Sequence, residues 1–178
     1  HQELVSTCPL FTTEDMGYVP VYYLLEEKYQ NVTQLSDYAN QYEIAKVLGI
    51  GFFEDLMFFD SIIYNTDRHL GNFGLLVDNN TGKILGPAPI FDHGLSLFSR
   101  GTKEDLRNLK VYSQQLVSAF GLSFDEQAEF YYRPRHRKYL HRLREFAFKR
   151  HDQYNLPEEH LQAVERFLNK RALELLNR

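Results

Sequence analysis

Asn65-Thr66-Asp67-Arg68-His69-Leu70-Gly71-Asn72-Phe73, with Pro89-Ile90-Phe91-Asp92-His93-Gly94 shortly after it, is the stretch that decides how this chain is read. It places an aspartate, an asparagine five positions later, and a second aspartate just beyond one hairpin's length. One carboxylate to orient an acceptor hydroxyl, with an amide and a second carboxylate to hold divalent cations on phosphates, is the set that phosphoryl transfer from Mg-ATP requires. Hard cations take oxygen donors and are often shared between a few side chains and the phosphates themselves. Asn, Asp, Gly and His are also ordinary turn residues, so the spacing of Asp67 and Asn72 alone does not separate a site from a turn. The setting does, because it puts the loop between an apolar helix and a hairpin that returns the chain to Asp92.

Phe52 to Tyr64 is apolar over most of its circumference, which predicts a helix buried on several sides that delivers the loop from a rigid base. After the loop, Phe73 to Asp78 and Lys83 to Gly86 are strand-like runs around Asn79-Asn80-Thr81-Gly82, a β-hairpin signature. Asn72 enters the first strand and the second strand runs back toward the same end, so reversal of the chain brings Asp92 near Asn72. Pro87 and Pro89 stop the second strand from continuing as a regular interior one.

Further out, Leu4 to Phe11 and Gly17 to Tyr23 read as a hairpin or two neighbouring strands. Leu35, Tyr38, Ala39, Tyr42, Ala45 and Leu48 recur at helical spacing over Thr33 to Leu48, with Gly49 as the stop. Beyond residue 100 the pattern is helical: Leu106 to Phe120, Phe124 to Tyr132, a basic helix from Pro134 to about Arg150, and a last helix from Pro157 through Leu176. The expected class is α+β, mainly α.

Composition bounds the function. At 178 residues the chain suits one domain or a large lobe. Its net charge of −4 argues against wholesale attraction to nucleic acid or anionic membrane. No apolar run approaches the roughly 20 residues needed to cross a bilayer, so no membrane insertion is expected. The single cysteine, Cys8, can form no internal disulfide, which fits a reducing cytoplasm.

Asn65-x-Asp67-x-His69-x-x-Asn72-Phe73, followed by Ala88-Pro89-Ile90-Phe91-Asp92, resembles the C-terminal lobe of HipA-like serine/threonine kinases. Asp67-Arg68-His69-x-x-Asn72 is also similar to the catalytic loop of phosphatidylinositol kinases. The resemblance implies a protein-kinase-like C-lobe with ATP and Mg²⁺ as cofactors and a protein serine or threonine as substrate. It gives Asp67 the catalytic-loop aspartate role, and Asn72 and Asp92 the metal- and cofactor-binding roles. Members of the family often carry Lys immediately before the loop asparagine, where this chain has Gly71, and His93-Gly94 stands where ordinary protein kinases have Phe-Gly.

The glycine-rich loop and the Val-Ala-x-Lys-type strand of kinases are not in the sequence, so the resemblance implies an N-terminal lobe upstream of His1. Residues 1–25 would then be the end of that lobe, with Val21 to Leu25 as the hinge whose backbone meets adenine, and 26–178 the helical C-lobe. On this view the chain alone is a poor catalyst. Two other readings stand beside it: lipid phosphorylation, and a non-catalytic kinase-like module that recruits a partner, such as the DNA-binding antitoxin of the HipA toxin–antitoxin systems.

The remaining residues carry open alternatives. His69 either steadies the loop or acts chemically, approaching the γ-phosphate; a magnesium site does not favour it as a ligand. Arg68 either contacts a phosphate of the cofactor or pairs with an acid on the lobe surface. Asn65 reads as a turn residue bonding the loop backbone. Ser96, Ser99 and Thr102 are phosphorylation candidates by location only. The basic run from Arg133 to Arg150 reads first as an amphipathic helix with a solvated basic face, and second as a surface for nucleic acid, anionic lipid or an acidic partner.

Overall fold

The computed structural model describes residues 7–26 and 38–177. The chain order is β1 (Met16–Pro20), α1 (Val21–Glu26), α2 (Tyr38–Leu48), α3 (Ile50–Ile63), β2 (Gly74–Asp78), β3 (Ile84–Pro87), α4 (Lys103–Arg107), α5 (Leu109–Ser113), α6 (Phe124–Tyr131), a 3-10 turn (Pro134–His136), α7 (Arg137–Leu143) and α8 (Glu158–Leu176). The class is α+β and mainly helical, as expected.

Helix α3 is the spine. Gly49 at φ 89° starts it and Tyr64, left-handed at φ 55°, ends it. Phe53, Leu56, Met57, Phe58 and Ile62 are buried around its circumference. Each such side chain stabilises the fold by about 1.5–3 kcal/mol through removal from water. Helix α6 crosses it, with Gln127 donating to the Met57 carbonyl at 2.8 Å. Ile44, Ala45 and Leu48 of α2 join the same core, and of the expected α8 stripe Leu161, Val164, Leu168, Ala172, Leu175 and Leu176 are buried. Tyr42 departs from its expected place: it lies half exposed beneath the Lys46 ammonium. Thr33 to Asp37 of the predicted helix lie outside the described residues.

The hairpin forms as predicted, and β1 pairs with it antiparallel to give the order β1-β2-β3. Asp78 closes the turn by accepting the Asn80 and Thr81 amides at 2.9 Å each. Gly74 is required where β1 meets β2, since a Cβ there would lie 2.1 Å from the Val19 carbonyl oxygen. Ala88 donates to the Gly74 carbonyl at 2.9 Å, so the chain does return to the start of β2 before reaching Asp92.

Four expectations need correction. Residues 7–11 of the strand expected over Leu4 to Phe11 are not strand, Leu4 to Ser6 lie outside the described residues, and β1 pairs with the hairpin instead. Val21 to Tyr23 are helical rather than extended. The Val21 and Tyr22 amides, placed at a hinge by the resemblance, donate to the Phe73 and Leu70 carbonyls at 3.0 and 3.2 Å. The helix expected over Leu106 to Phe120 breaks at Asn108, whose side chain caps α5 by accepting the Val111 amide, a local bond that competes with helix continuation. The basic helix ends at Leu143, because side chains of α8 satisfy the backbone beyond it: Asn169 accepts the Phe146 amide and Glu165 the Phe148 amide.

Half of the Arg and Lys side chains of the basic run are engaged by acids or carbonyls. Arg133 and Arg135 pair with Glu54 and Asp55 of α3, Arg150 pairs with Glu158 and Glu165 of α8, and Arg137 donates to the Leu176 carbonyl. These pairs fasten the C-terminal third to α3 and α8.

Candidate functional site

The loop between α3 and β2 is organised by one buried ion pair. Asp60 and Arg68 are each 1% exposed. The Arg68 Nε donates to Asp60 Oδ2 at 2.8 Å and Nη2 to Oδ1 at 2.9 Å, a bidentate pairing. Nη1 donates to the carbonyls of Asn72, at 3.0 Å, and Phe91, at 2.8 Å. The remaining Nη2 proton faces His93 Nδ1 at 3.1 Å. All five guanidinium protons are therefore used. A single nitrogen binds the backbones of Asn72 and of Phe91, the residue before Asp92, and so ties the start of β2 to the segment that follows β3.

That arrangement corrects the expectation for Arg68. No donor remains for a phosphate, and the acid it pairs with is buried in α3 rather than on the surface. Sequence reasoning missed Asp60. Its signal was a carboxylate within the apolar stretch Leu56 to Ile63 of α3, which demands a cationic partner.

Asn65 does what a turn residue should and more. Its side chain donates to Asp60 Oδ1 at 3.1 Å and accepts the Asp67 amide at 3.1 Å. The Asp67 carbonyl accepts the His69 amide at 2.9 Å and the Asn72 side-chain amide at 2.9 Å. The backbone of Asp67 is thus held on both sides, and its half-buried carboxylate accepts no hydrogen bond among the described residues. Because the Asn72 nitrogen is committed to Asp67, its Oδ1 is the atom left for a cation. Asn72 is buried and Asp92 is exposed.

His69 organises the loop: its exposed ring accepts the Gly71 amide on Nδ1 at 3.1 Å. A Cβ at position 71 would lie 2.9 Å from Cε1 and 3.0 Å from Nδ1 of that ring. The glycine that stands in the family's lysine position is therefore the residue the His69 ring requires. With Nδ1 accepting, the ring proton sits on Nε2 and is available for direct chemistry.

Tyr18 of β1 donates to the Gly71 carbonyl at 2.9 Å and packs its ring edge-on to Phe91 at 5.4 Å. Phe11 completes an aromatic trio against both. Burial pushes the Tyr18 hydroxyl up to about 12, against the opposing pull of the Arg68 charge. Sequence reasoning placed Tyr18 only on a strand.

Asp92 sits in the left-handed region at φ 56°, as do Leu97 at 53° and Phe98 at 60°. Such positions cost on the order of 1–3 kcal/mol and cluster at functional sites. The segment is pinned despite this: Leu97 donates to the Ile63 carbonyl at 2.7 Å, and Thr66 to the Leu95 carbonyl. His93 sits edge-on to Phe59. Burial first, and the Arg68 charge second, hold its imidazole below the usual value of 6.5, so it stays neutral with Nδ1 as acceptor. Among the phosphorylation candidates Ser96 is buried, Ser99 is exposed, and Thr102 is the exposed N-cap of α4, bonded to Asp105.

The amide oxygen of Asn72 and the carboxylate of Asp92 are donor types that suit Mg²⁺, which takes few protein ligands and completes its shell from phosphate and water. No group of three or more His, Cys, Asp or Glu able to hold a metal exists among the described residues, so a cage supplied by such side chains is not the chemistry on offer. No helix among them is long and apolar enough to cross a membrane.

No protein-family model matches the chain, and no curated protein does. Among solved structures it is similar to CtkA, a proinflammatory kinase of Helicobacter pylori, with a TM-score of 0.62 and 21% identity over 93% of this chain and 74% of that one. A likeness at that identity speaks for the fold. The chain has a kinase-like fold.

Proposed function

We propose that this chain carries the catalytic half of an ATP- and Mg²⁺-dependent kinase acting on serine or threonine of a protein. The observation that supports this reading is the double contact of Arg68 Nη1 with the Asn72 and Phe91 carbonyls, which ties the Asp67–Asn72 loop to the residue before Asp92. Asp67 would orient the acceptor hydroxyl and take its proton as the oxygen attacks the γ-phosphorus and ADP leaves. Asn72 Oδ1 and the Asp92 carboxylate would hold Mg²⁺, which would supply positive charge to offset that of the phosphates. The Nε2 proton of His69 faces outward as a donor for a phosphate oxygen.

Within the described residues only β1 and α1 precede α2, so the reading leaves the cover over the nucleotide to a lobe carrying a glycine-rich loop. The HipA-like part of the reading, with its DNA-binding antitoxin-like partner and cytoplasmic setting, rests on the motif resemblance alone.

The test is calorimetric titration of Mg-ATP into the chain and into Asp92→Asn. Saturable, magnesium-dependent heat that the substitution abolishes supports the site. Heat that survives Asp92→Asn unchanged overturns it, as does silence both in this chain and in one carrying a phosphate-loop lobe.

A further inference from the structure

A groove of about 290 Å³ opens directly beside the catalytic loop. Its lining includes Thr66, the neighbour of Asp67, with Leu95, Leu116, Val117 and Arg100. Val117 is 58% exposed, a large apolar side chain left in water next to a candidate active site. A second groove, of about 470 Å³, lies between α4 and α8 and is lined by Gly101, Lys103, Leu106, Arg107 and Arg166 among others. The two meet at Gly101: a Cβ there would stand 3.3 Å from the Tyr112 ring in the first and 3.7 Å from Leu106 in the second.

Charge along this path is one-sided. Arg100, Lys103, Arg107 and Arg166 are all exposed, and none is ion-paired among the described residues. The acid in the lining is Glu159. On a chain with net charge −4 this is a local reversal of sign. The path is apolar at the catalytic end and cationic at the other. A nucleic-acid surface would instead spread its cations along the whole path with stacking aromatics between them.

We propose that this path seats the acceptor segment, and that it selects a protein segment carrying an apolar residue close to the acceptor serine or threonine and acidic residues further along. The proposal rests on the kinase reading above for the role of the acceptor, while the groove chemistry stands on its own. An extended segment would place its apolar side chain against Leu95, Leu116 and Val117, and its carboxylates toward Arg100 and Arg166.

The experiment is fluorescence anisotropy on the whole chain with labelled serine peptides that share a leucine near the serine and differ only in a following run of glutamates or lysines. Several exposed charge pairs of modest strength together predict about tenfold tighter binding of the glutamate peptide. That preference closes or reverses in Arg100→Glu/Arg166→Glu, whose exposed positions leave the fold intact by thermal unfolding. Val117→Ser weakens both peptides alike.

Equal binding of the two peptides overturns the proposal, and so does displacement of the glutamate peptide by single-stranded RNA at lower concentration. Phosphotransfer from Mg-ATP is read in the same samples. Charge-selective binding with no transfer, here and in a chain carrying a phosphate-loop lobe, supports the groove and counts against the kinase reading. Transfer indifferent to peptide charge sinks the groove and leaves the kinase reading standing.

Discussion

The His69 imidazole and Gly71 occupy one another's space: the ring accepts the Gly71 amide at 3.1 Å, and a side chain at 71 would meet it at 2.9 Å. His69→Ala and Gly71→Ala should therefore act as one lesion. Each is expected to lower stability by about 1 kcal/mol, the worth of a single hydrogen bond. The double substitution should cost little more than either alone. A double-mutant cycle on urea midpoints measures this, and full additivity would show that the two residues are uncoupled.

The Asp60–Arg68 pair is buried with every proton satisfied, so removing one partner strands the other. Arg68→Met is expected to cost about 3–5 kcal/mol, and Asp60→Asn a comparable amount. Arg68→Lys should recover little, because an ammonium cannot reproduce the bidentate fork or reach Asn72, Phe91 and His93 together. Denaturant unfolding reads all three. A loss below about 1 kcal/mol for Arg68→Met would remove the organising role given to it here.

Aspartate tolerates the left-handed conformation better than alanine does, and asparagine tolerates it as well. Asp92→Asn should leave thermal stability nearly unchanged while removing magnesium-dependent nucleotide binding. Asp92→Ala should lose the same binding and about 1 kcal/mol of stability besides. Equal stability of the two variants would indicate that the backbone relaxes at this position.

The depressed titration of His93 has a definite sign. The fold prefers the neutral ring, so its contribution is complete above the ordinary value of 6.5 and is lost as pH falls below it, where the unfolded chain takes up a proton first. His93→Gln keeps an acceptor for Arg68 and cannot titrate. Unfolding free energies of the two proteins should run parallel above neutrality and diverge below it, with the parent losing more. Parallel curves throughout the acid range would show that His93 titrates normally.

Much of the site was legible because its determinants are local. The Asn79–Gly82 turn between two apolar runs gave the hairpin, and the hairpin returns the chain to the start of β2 at Ala88, before Asp92. The apolar circumference of Phe52 to Tyr64 gave α3. What could not be read depended on partners far along the chain. Arg68 looked like a loop cation facing solvent, and only the buried position of Asp60 turns it inward. Tyr139, Leu143 and Phe146 keep helical spacing, yet the chain leaves the helix after Leu143 where Asn169 and Glu165 offer acceptors. Asn108 was readable as a cap, had its local bonding been weighed against the apolar residues around it.

The left-handed Tyr64 that ends α3 has its hydroxyl bonded to Arg171, 107 positions later, at 2.7 Å. Gln127 and Arg133 reach back to α3 across 70 and 79 positions. During synthesis, then, the helix that carries the active loop emerges long before the residues that hold it in place. Until α8 has left the ribosome, α3 exposes part of the apolar surface that α8 later covers. A chain stopped short of Arg171 would keep the Asp60–Arg68 pair and lose the anchor at the end of the helix that carries it.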